Sequence, residues 1–141
     1  MAAATPEHFI NSYGGVVQTH GPIDQFSQQP ASLAPIYQFG RFCLDVGRAE
    51  LWCGEDRRDV QPLILDLLQY LIANRGRVAS KDELFLNVWG GNVSVVDTAL
   101  TTAVCEARKA IDDDHVRQWA IRTVPRRGYR FIAPTAEGAR V

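Results

Sequence analysis

The sequence predicts an α+β fold in which a small N-terminal antiparallel sheet is followed by three helices and a C-terminal β-hairpin. Short alternating apolar pieces within residues 36–60 indicate the sheet. Apolar residues at helical spacing, bounded by proline, glycine and capping residues, indicate the three helices. Two segments rich in β-branched and aromatic residues, 121–124 and 129–131, flank a turn containing proline and glycine and indicate the hairpin.

The length and composition fit one globular domain with additional chain, since 46% of the 141 residues are hydrophobic and 22% are charged. Glycine, proline and polar residues interrupt every apolar cluster before residue 35. We therefore expect a flexible leader over residues 1–35, the folded domain over 36–134 and a C-terminal tail over 135–141. No segment has the apolar length of a membrane span or the form of a signal peptide, so we expect a cytoplasmic protein.

The first two helices have clear boundaries in the sequence. Pro62 suits the first position of a helix whose leucine and isoleucine residues recur at helical spacing, and Gly76 suits the position after its end. Ser80 and Glu83 have the spacing of a capping box for the second helix, because each side chain can bond to the backbone N–H of the other residue. Two glycines, Gly90 and Gly91, are expected to end that helix.

A third helix is predicted over residues 96–111, with a capping box between Ser94 and Asp97. Its apolar residues fall on one face and would pack on the first two helices. Hydroxyl groups on the opposite face could approach base edges, and cations near the C-terminal end could reach phosphate. The alternative is a solvated helix face with basic residues that interact favourably with the helix dipole. The residues predicted on that face are Thr98, Thr101, Thr102, Cys105, Arg108 and Lys109.

The predicted hairpin carries Arg126 and Arg127 at its turn, where arginine can reach phosphate or a narrow minor groove. The alternative is an ordinary exposed hairpin made soluble by arginine. A formal net charge of −1 argues against a nucleic-acid partner, but residues 108–131 contain seven Lys or Arg residues against three Asp residues. The positive charge is therefore concentrated around the hairpin.

Catalysis and metal binding have no support in the sequence. The three histidines are far apart, and neither a glycine-rich phosphate loop nor a nucleophile elbow is present. We interpret the three consecutive acids at 112–114 as a solvated turn that ends the third helix. The sequence therefore predicts a protein that is not an enzyme and has no cofactor and no metal.

Four segments in this order, 37–40, 74–84, 88–90 and 121–131, resemble the OmpR/PhoB-type winged-helix domain of bacterial transcription regulators. The resemblance covers about residues 37–134. Residues 100–104 and 107–113 are most similar to the CadC-like branch, in which this domain comes first in the chain, and the leader that begins at Met1 fits that order.

The resemblance implies a DNA-binding transcriptional regulator whose third helix enters the major groove of double-stranded DNA. The hairpin would be the wing, which contacts the minor groove or its phosphates. It also implies that the loop at residues 90–95 can touch RNA polymerase, and it allows a homodimer on DNA. The positions that match the family's DNA contacts are Thr98, Thr101, Thr102, Cys105, Glu106, Arg108, Lys109, Thr123, Arg126, Arg127 and Tyr129.

This chain differs from many members of the family because no cation precedes Arg108 on the third helix. Glu106 could accept a hydrogen bond from cytosine, but an acid that faces phosphate lowers affinity. The difference favours binding that depends on the wing and on multiple copies. It also leaves an alternative function, a winged-helix protein-interaction module that regulates through a protein partner without binding DNA itself.

Overall fold

The structure, a computed structural model, describes residues 34–91 and 97–139. Most of the predicted leader, the predicted cap at Ser94 and most of the loop at 90–95 lie outside these ranges. The elements are β1 (Pro35–Phe39), β2 (Phe42–Asp45), β3 (Glu50–Cys53), β4 (Asp56–Arg58), α1 (Pro62–Ala73), β5 (Ala79–Ser80), α2 (Lys81–Val88), α3 (Asp97–Ala110), β6 (Ile121–Val124), β7 (Gly128–Phe131) and β8 (Ala136–Ala139).

The described residues divide into two compact units. One contains the residues up to Arg58 together with those from Thr135 onward, and the other is Asp59–Pro134. No helix within the described ranges is both long and apolar enough to cross a membrane.

The first unit is an antiparallel sheet with strand order β4-β3-β2-β1-β8. The sequence predicts the N-terminal strands of this sheet but not β8, which lies within the expected tail. Strand β8 pairs with β1 from Pro35↔Ala139 to Gln38↔Ala136. Its sequence, Ala-Glu-Gly-Ala, lacks the alternation of large apolar residues that identifies a strand. The segment forms a strand because its backbone pairs with the backbone of β1.

The second unit contains the three predicted helices, and α1 packs against α3, α2 and β7. Pro62 lies in the first turn of α1, as predicted. The capping box of α2 is also confirmed: Ser80 Oγ accepts from Glu83 N at 3.1 Å, and Ser80 N donates to Glu83 Oε1 at 3.0 Å. Large side chains that are almost fully buried in this unit include Leu67, Leu68, Leu71, Ile72, Leu84, Leu100, Ile111, Ile121 and Phe131.

The predicted hairpin is β6–β7, and β5 extends it to a three-stranded sheet with strand order β5-β7-β6. Gly128 is required where β7 passes β5, because a Cβ atom at this position would lie 1.9 Å from the carbonyl oxygen of Ala79. Any larger residue would therefore displace one of the two strands. Through this close contact, the hairpin is held against the segment that leads into α2.

Candidate nucleic-acid interface

One face of α3 is exposed and carries small polar side chains, as the sequence predicts. The apolar residues Leu100, Val104 and Ala107 are buried on the opposite face. The short hydroxyl and thiol side chains on the exposed face can donate or accept hydrogen bonds and can approach a base edge closely. The exposed residues of α3 are Asp97, Thr98, Thr101, Thr102, Cys105, Glu106 and Lys109.

Arg108 does not belong to this exposed face, so the prediction of its exposure is wrong. Its relative exposure is only 6%. Its guanidinium donates to the backbone oxygen of Ile121, at 3.2 Å from Nε and 2.9 Å from Nη2, and Nη2 also donates to Thr123 Oγ1 at 2.8 Å. The long side chain passes from the helix to the neighbouring strand, where its donors satisfy acceptors of β6. Arg108 therefore connects α3 to the hairpin.

The segment that joins α3 to β6 is also fixed by buried polar groups. Asp112, with φ of 56°, follows the helix in a left-handed conformation, and Asp113 N donates to Arg108 O at 2.7 Å. The Asp113 carboxylate is 5% exposed and accepts from the backbone N–H groups of Trp119, Ala120 and Ile121 at 2.9 to 3.1 Å. The interpretation of residues 112–114 as a solvated turn is therefore wrong for Asp113, which positions the start of β6.

The turn at the tip of the hairpin presents two cations to solvent. Arg127 N donates to Val124 O at 2.9 Å, with Pro125 and Arg126 between them. Proline followed by a residue with positive φ is the arrangement of a type II turn, and Arg126 has φ of 66°. Arg126 and Arg127 are both exposed, as the sequence predicts.

The strands of the hairpin alternate between a buried and an exposed side. Thr123 is half-buried and accepts from Arg108, while Tyr129 is 7% exposed and pairs with Thr123 across the strands. Most of the Tyr129 side chain is therefore unavailable to a ligand. These two predicted contacts lie on the inner side of the hairpin, whereas Arg126 and Arg127 lie at its tip.

Two further cations, Arg122 and Arg130, lie on the exposed side of the hairpin and are absent from the sequence-based set. They are direct partners in the register of β6 and β7, and both are exposed. Neighbouring residues of a strand point to opposite faces, and each of these arginines follows or precedes an apolar residue. This alternation is the sequence signal that predicts an outward position for Arg122 and Arg130. Their pairing depends on the length of the turn. The sequence predicts four residues, 125–128, between the strands, whereas in the structure Gly128 begins β7 and pairs with Val124.

The positive charge of this region lies on the hairpin and not on the helix. Residues 121–131 carry four exposed arginines and no acid. The exposed face of α3 carries two acids and one cation, Lys109, whose Nζ lies 3.9 Å from Glu106 Oε2. Asp97 Oδ2 in turn lies 3.6 Å from Lys81 Nζ. An approaching polyanion would therefore be attracted mainly by the hairpin.

Comparisons with known proteins agree with this geometry. The sequence profile of the family described as "Transcriptional regulatory protein, C terminal" matches residues 56–131. The chain is 37% identical over 76 residues to the transcriptional activator CadC of Escherichia coli strain K12, an alignment that covers 53% of this chain and 15% of CadC. It is 30% identical over 105 residues to the phosphate regulon regulatory protein PhoB of Klebsiella pneumoniae, covering 74% of this chain and 45% of PhoB.

A solved structure, the DNA-binding domain of E. coli CadC, superposes with a TM-score of 0.62 at 29% identity and covers 73% of this chain and 96% of that domain. The matched part of the chain thus corresponds to nearly the whole of that solved domain. In contrast, the chain spans less than half the length of the two curated relatives.

Proposed function

Because the chain belongs to the family of OmpR/PhoB-type DNA-binding domains of transcriptional regulators, we propose that it binds double-stranded DNA and regulates transcription. In this proposal, α3 enters the major groove and the wing, residues 121–131, contacts the minor groove and its phosphates. The observation that carries the proposal is the acid-free wing with four exposed arginines, joined to α3 by the buried Arg108. The function requires neither catalysis nor a cofactor.

Each side chain has a distinct role in this proposal. Thr98, Thr101 and Thr102 would read base edges together with Cys105, because short side chains let the helix lie deep in the groove. Arg126 and Arg127 would bind phosphate or the narrow minor groove. Arg108, Thr123 and Tyr129 would position the wing relative to α3 and would contribute little direct contact.

The proposal includes three finer points. The loop at residues 90–95 would contact RNA polymerase, two copies would assemble on DNA, and the chain would act in the cytoplasm. Two copies would double the number of arginine contacts, which would compensate for the acids on α3. Residues 92–95 of the loop lie outside the described part of the chain.

A second candidate function is a protein-interaction module with the same fold. The observation in its favour is the exposed face of α3, where Asp97 and Glu106 oppose the approach of phosphate. An arginine-rich wing with no acid is the observation against it, since such a surface attracts a polyanion.

Fluorescence anisotropy with a labelled duplex across a salt series distinguishes the two functions. The wild-type chain is expected to bind with an affinity that falls as salt rises. We call the magnitude of the slope of log K against log salt concentration the salt slope. The variant Arg126→Ala/Arg127→Ala should lower the salt slope by about 0.9 for each phosphate that the wing no longer binds. A matched control is Arg57→Ala, which removes an exposed arginine from strand β4. Absence of binding at low salt would favour the protein-interaction module.

A further inference from the structure

The outward side of the wing holds a pair of like charges directly opposite each other. Arg122 on β6 and Arg130 on β7 are register partners, while their neighbours Ile121 and Phe131 are buried on the other side. Side chains of directly opposed residues on one face of an antiparallel sheet are close neighbours. We call these two residues the arginine pair.

The arginine pair has no acidic counterpart in the described part of the chain. No ion pair or hydrogen bond joins the side chain of either residue to another described residue, and their own strands contain no acid. Like charges directly opposed across two strands destabilise a hairpin. Among the described residues nothing offsets the repulsion between the two guanidinium groups, and the long exposed side chains can reduce it by pointing apart.

We infer that the arginine pair binds two phosphates of the DNA backbone and forms a second anchoring element of the wing, in addition to its tip. This inference rests on the proposed function. Two guanidinium groups that point apart can each contact a separate phosphate, and a bound polyanion removes the repulsion between them. The arginine pair adds to the charge of Arg126 and Arg127, so that one short hairpin offers four exposed cations to the phosphates of a duplex.

The alternative ligand of the arginine pair is an acidic surface on a protein partner. Such a partner would need two carboxylates placed to match the two arginines, whereas the phosphates of a duplex repeat regularly along each strand. Residues 121–131 contain no acid that would weaken the attraction to such a row of phosphates. Phosphate contacts carry no base information, so the arginine pair should strengthen binding to any duplex.

The test measures salt-dependent anisotropy with a labelled duplex of mixed sequence for Arg122→Gln, Arg130→Gln and the double variant. Each single substitution is expected to lower the salt slope by about 0.9 and the double substitution by about 1.8, because each arginine has its own phosphate. The decrease should be the same for duplexes of unrelated sequence. The matched control is Arg57→Gln on β4, which is expected to keep the wild-type slope.

Thermal melting of the same variants excludes a loss of fold as the cause of weaker binding. Since each substitution removes a repulsion, the variants should melt at or above the wild-type temperature. Wild-type binding with unchanged slopes in the arginine-pair variants would overturn this inference, leave the proposed function intact and favour the acidic protein partner. Absence of wild-type DNA binding would overturn the proposed function and the inference with it.

Discussion

The backbone of Arg126 lies in the left-handed region, with φ of 66°, at the turn position where glycine or asparagine is preferred. This conformation costs a residue with a side chain roughly 1 to 2 kcal/mol, because Cβ approaches the following carbonyl oxygen. Strained residues of this kind cluster at functional sites. Ala49, Asp112 and Gln118 also have positive φ, so the strain at Arg126 is a property of the turn, which leaves its side chain exposed at the tip of the wing.

Replacement of Arg126 by glycine or by alanine separates its charge from its conformation. Both variants lose the cation, so both should lower the salt slope of DNA binding by about 0.9. Arg126→Gly should be more stable than Arg126→Ala by roughly 0.5 to 1 kcal/mol. Glycine relieves the strained φ in the folded state, and this stabilisation is larger than the stabilisation of the unfolded chain by the greater flexibility of glycine. Urea unfolding measures this difference. Equal stability of the two variants would indicate that the turn is unstrained.

The residues that the sequence predicted correctly are those whose role depends on local spacing. Ser80 and Glu83 form a capping box because the two residues are three positions apart, and no distant contact is needed. The prediction for Arg108 was wrong because Arg108 follows Leu100 and Val104 at spacings of four and so lies beside the buried face of α3. Helical periodicity alone does not identify the acceptors on β6 that its side chain reaches. The pairing of Arg122 with Arg130 also needed information beyond periodicity, namely the register set by the turn.

At the scale of elements, the junction between α1 and α2 is held by one carboxylate. Glu83 accepts from Arg77 Nη1 at 2.9 Å, from Arg77 Nη2 at 2.7 Å and from the Tyr70 hydroxyl at 2.6 Å. These bonds, chiefly those from the Arg77 guanidinium, lower the pKa of Glu83 from 4.5 to about 2. The hydrogen bond to Glu83 raises the pKa of Tyr70 above 10.0. The ionised carboxylate thus connects α1 to the capped start of α2.

The depressed pKa of Glu83 predicts a specific dependence of stability on pH. A carboxyl with a lower pKa in the folded protein stabilises the fold above its unfolded pKa, and this contribution is lost as the pH falls. For Glu83 the loss should occur between pH 4.5 and about 2. Glu83→Gln should therefore unfold more easily than wild type at neutral pH and show a flatter pH profile in that window.

Urea unfolding at a series of pH values tests this dependence on Glu83. Asp82→Asn is the matched control, because it removes an exposed acid from the same helical turn. A Glu83→Gln profile parallel to that of wild type would exclude Glu83 as the source of the pH dependence.

The connection between α3 and β6 depends on Arg108, which donates to Ile121 O and Thr123 Oγ1 from a buried position. Arg108→Gln should destabilise the fold by about 2 to 3 kcal/mol, because it removes charge-assisted hydrogen bonds and leaves a buried carbonyl without its donor. Its salt slope for DNA binding should equal that of wild type when binding is measured well below the melting temperature. Wild-type stability with a lower salt slope would instead restore Arg108 as a phosphate contact.

Across the whole molecule, charge and base-reading groups occupy different elements. The chain is nearly neutral, with 15 Lys and Arg residues and 16 Asp and Glu residues, but the wing alone carries four exposed arginines. The exposed face of α3 offers hydroxyls and a thiol, with two acids and one cation. Because phosphate contacts strengthen binding to every sequence and base contacts distinguish sequences, affinity should come from the wing and specificity from α3.

This separation can be measured once a preferred sequence has been selected from a random pool of duplexes. Thr102→Val keeps the shape of an exposed residue of α3 but removes its hydroxyl. Thr102→Val should reduce the ratio of the affinities for the selected and an unrelated duplex by up to about tenfold, without changing the salt slope. Arg126→Gln/Arg127→Gln should weaken binding to both duplexes equally and lower the slope by about 1.8. If the wing variant lost discrimination instead, the arginines would read the shape of the minor groove in addition to binding phosphate, and specificity would be shared between the two elements.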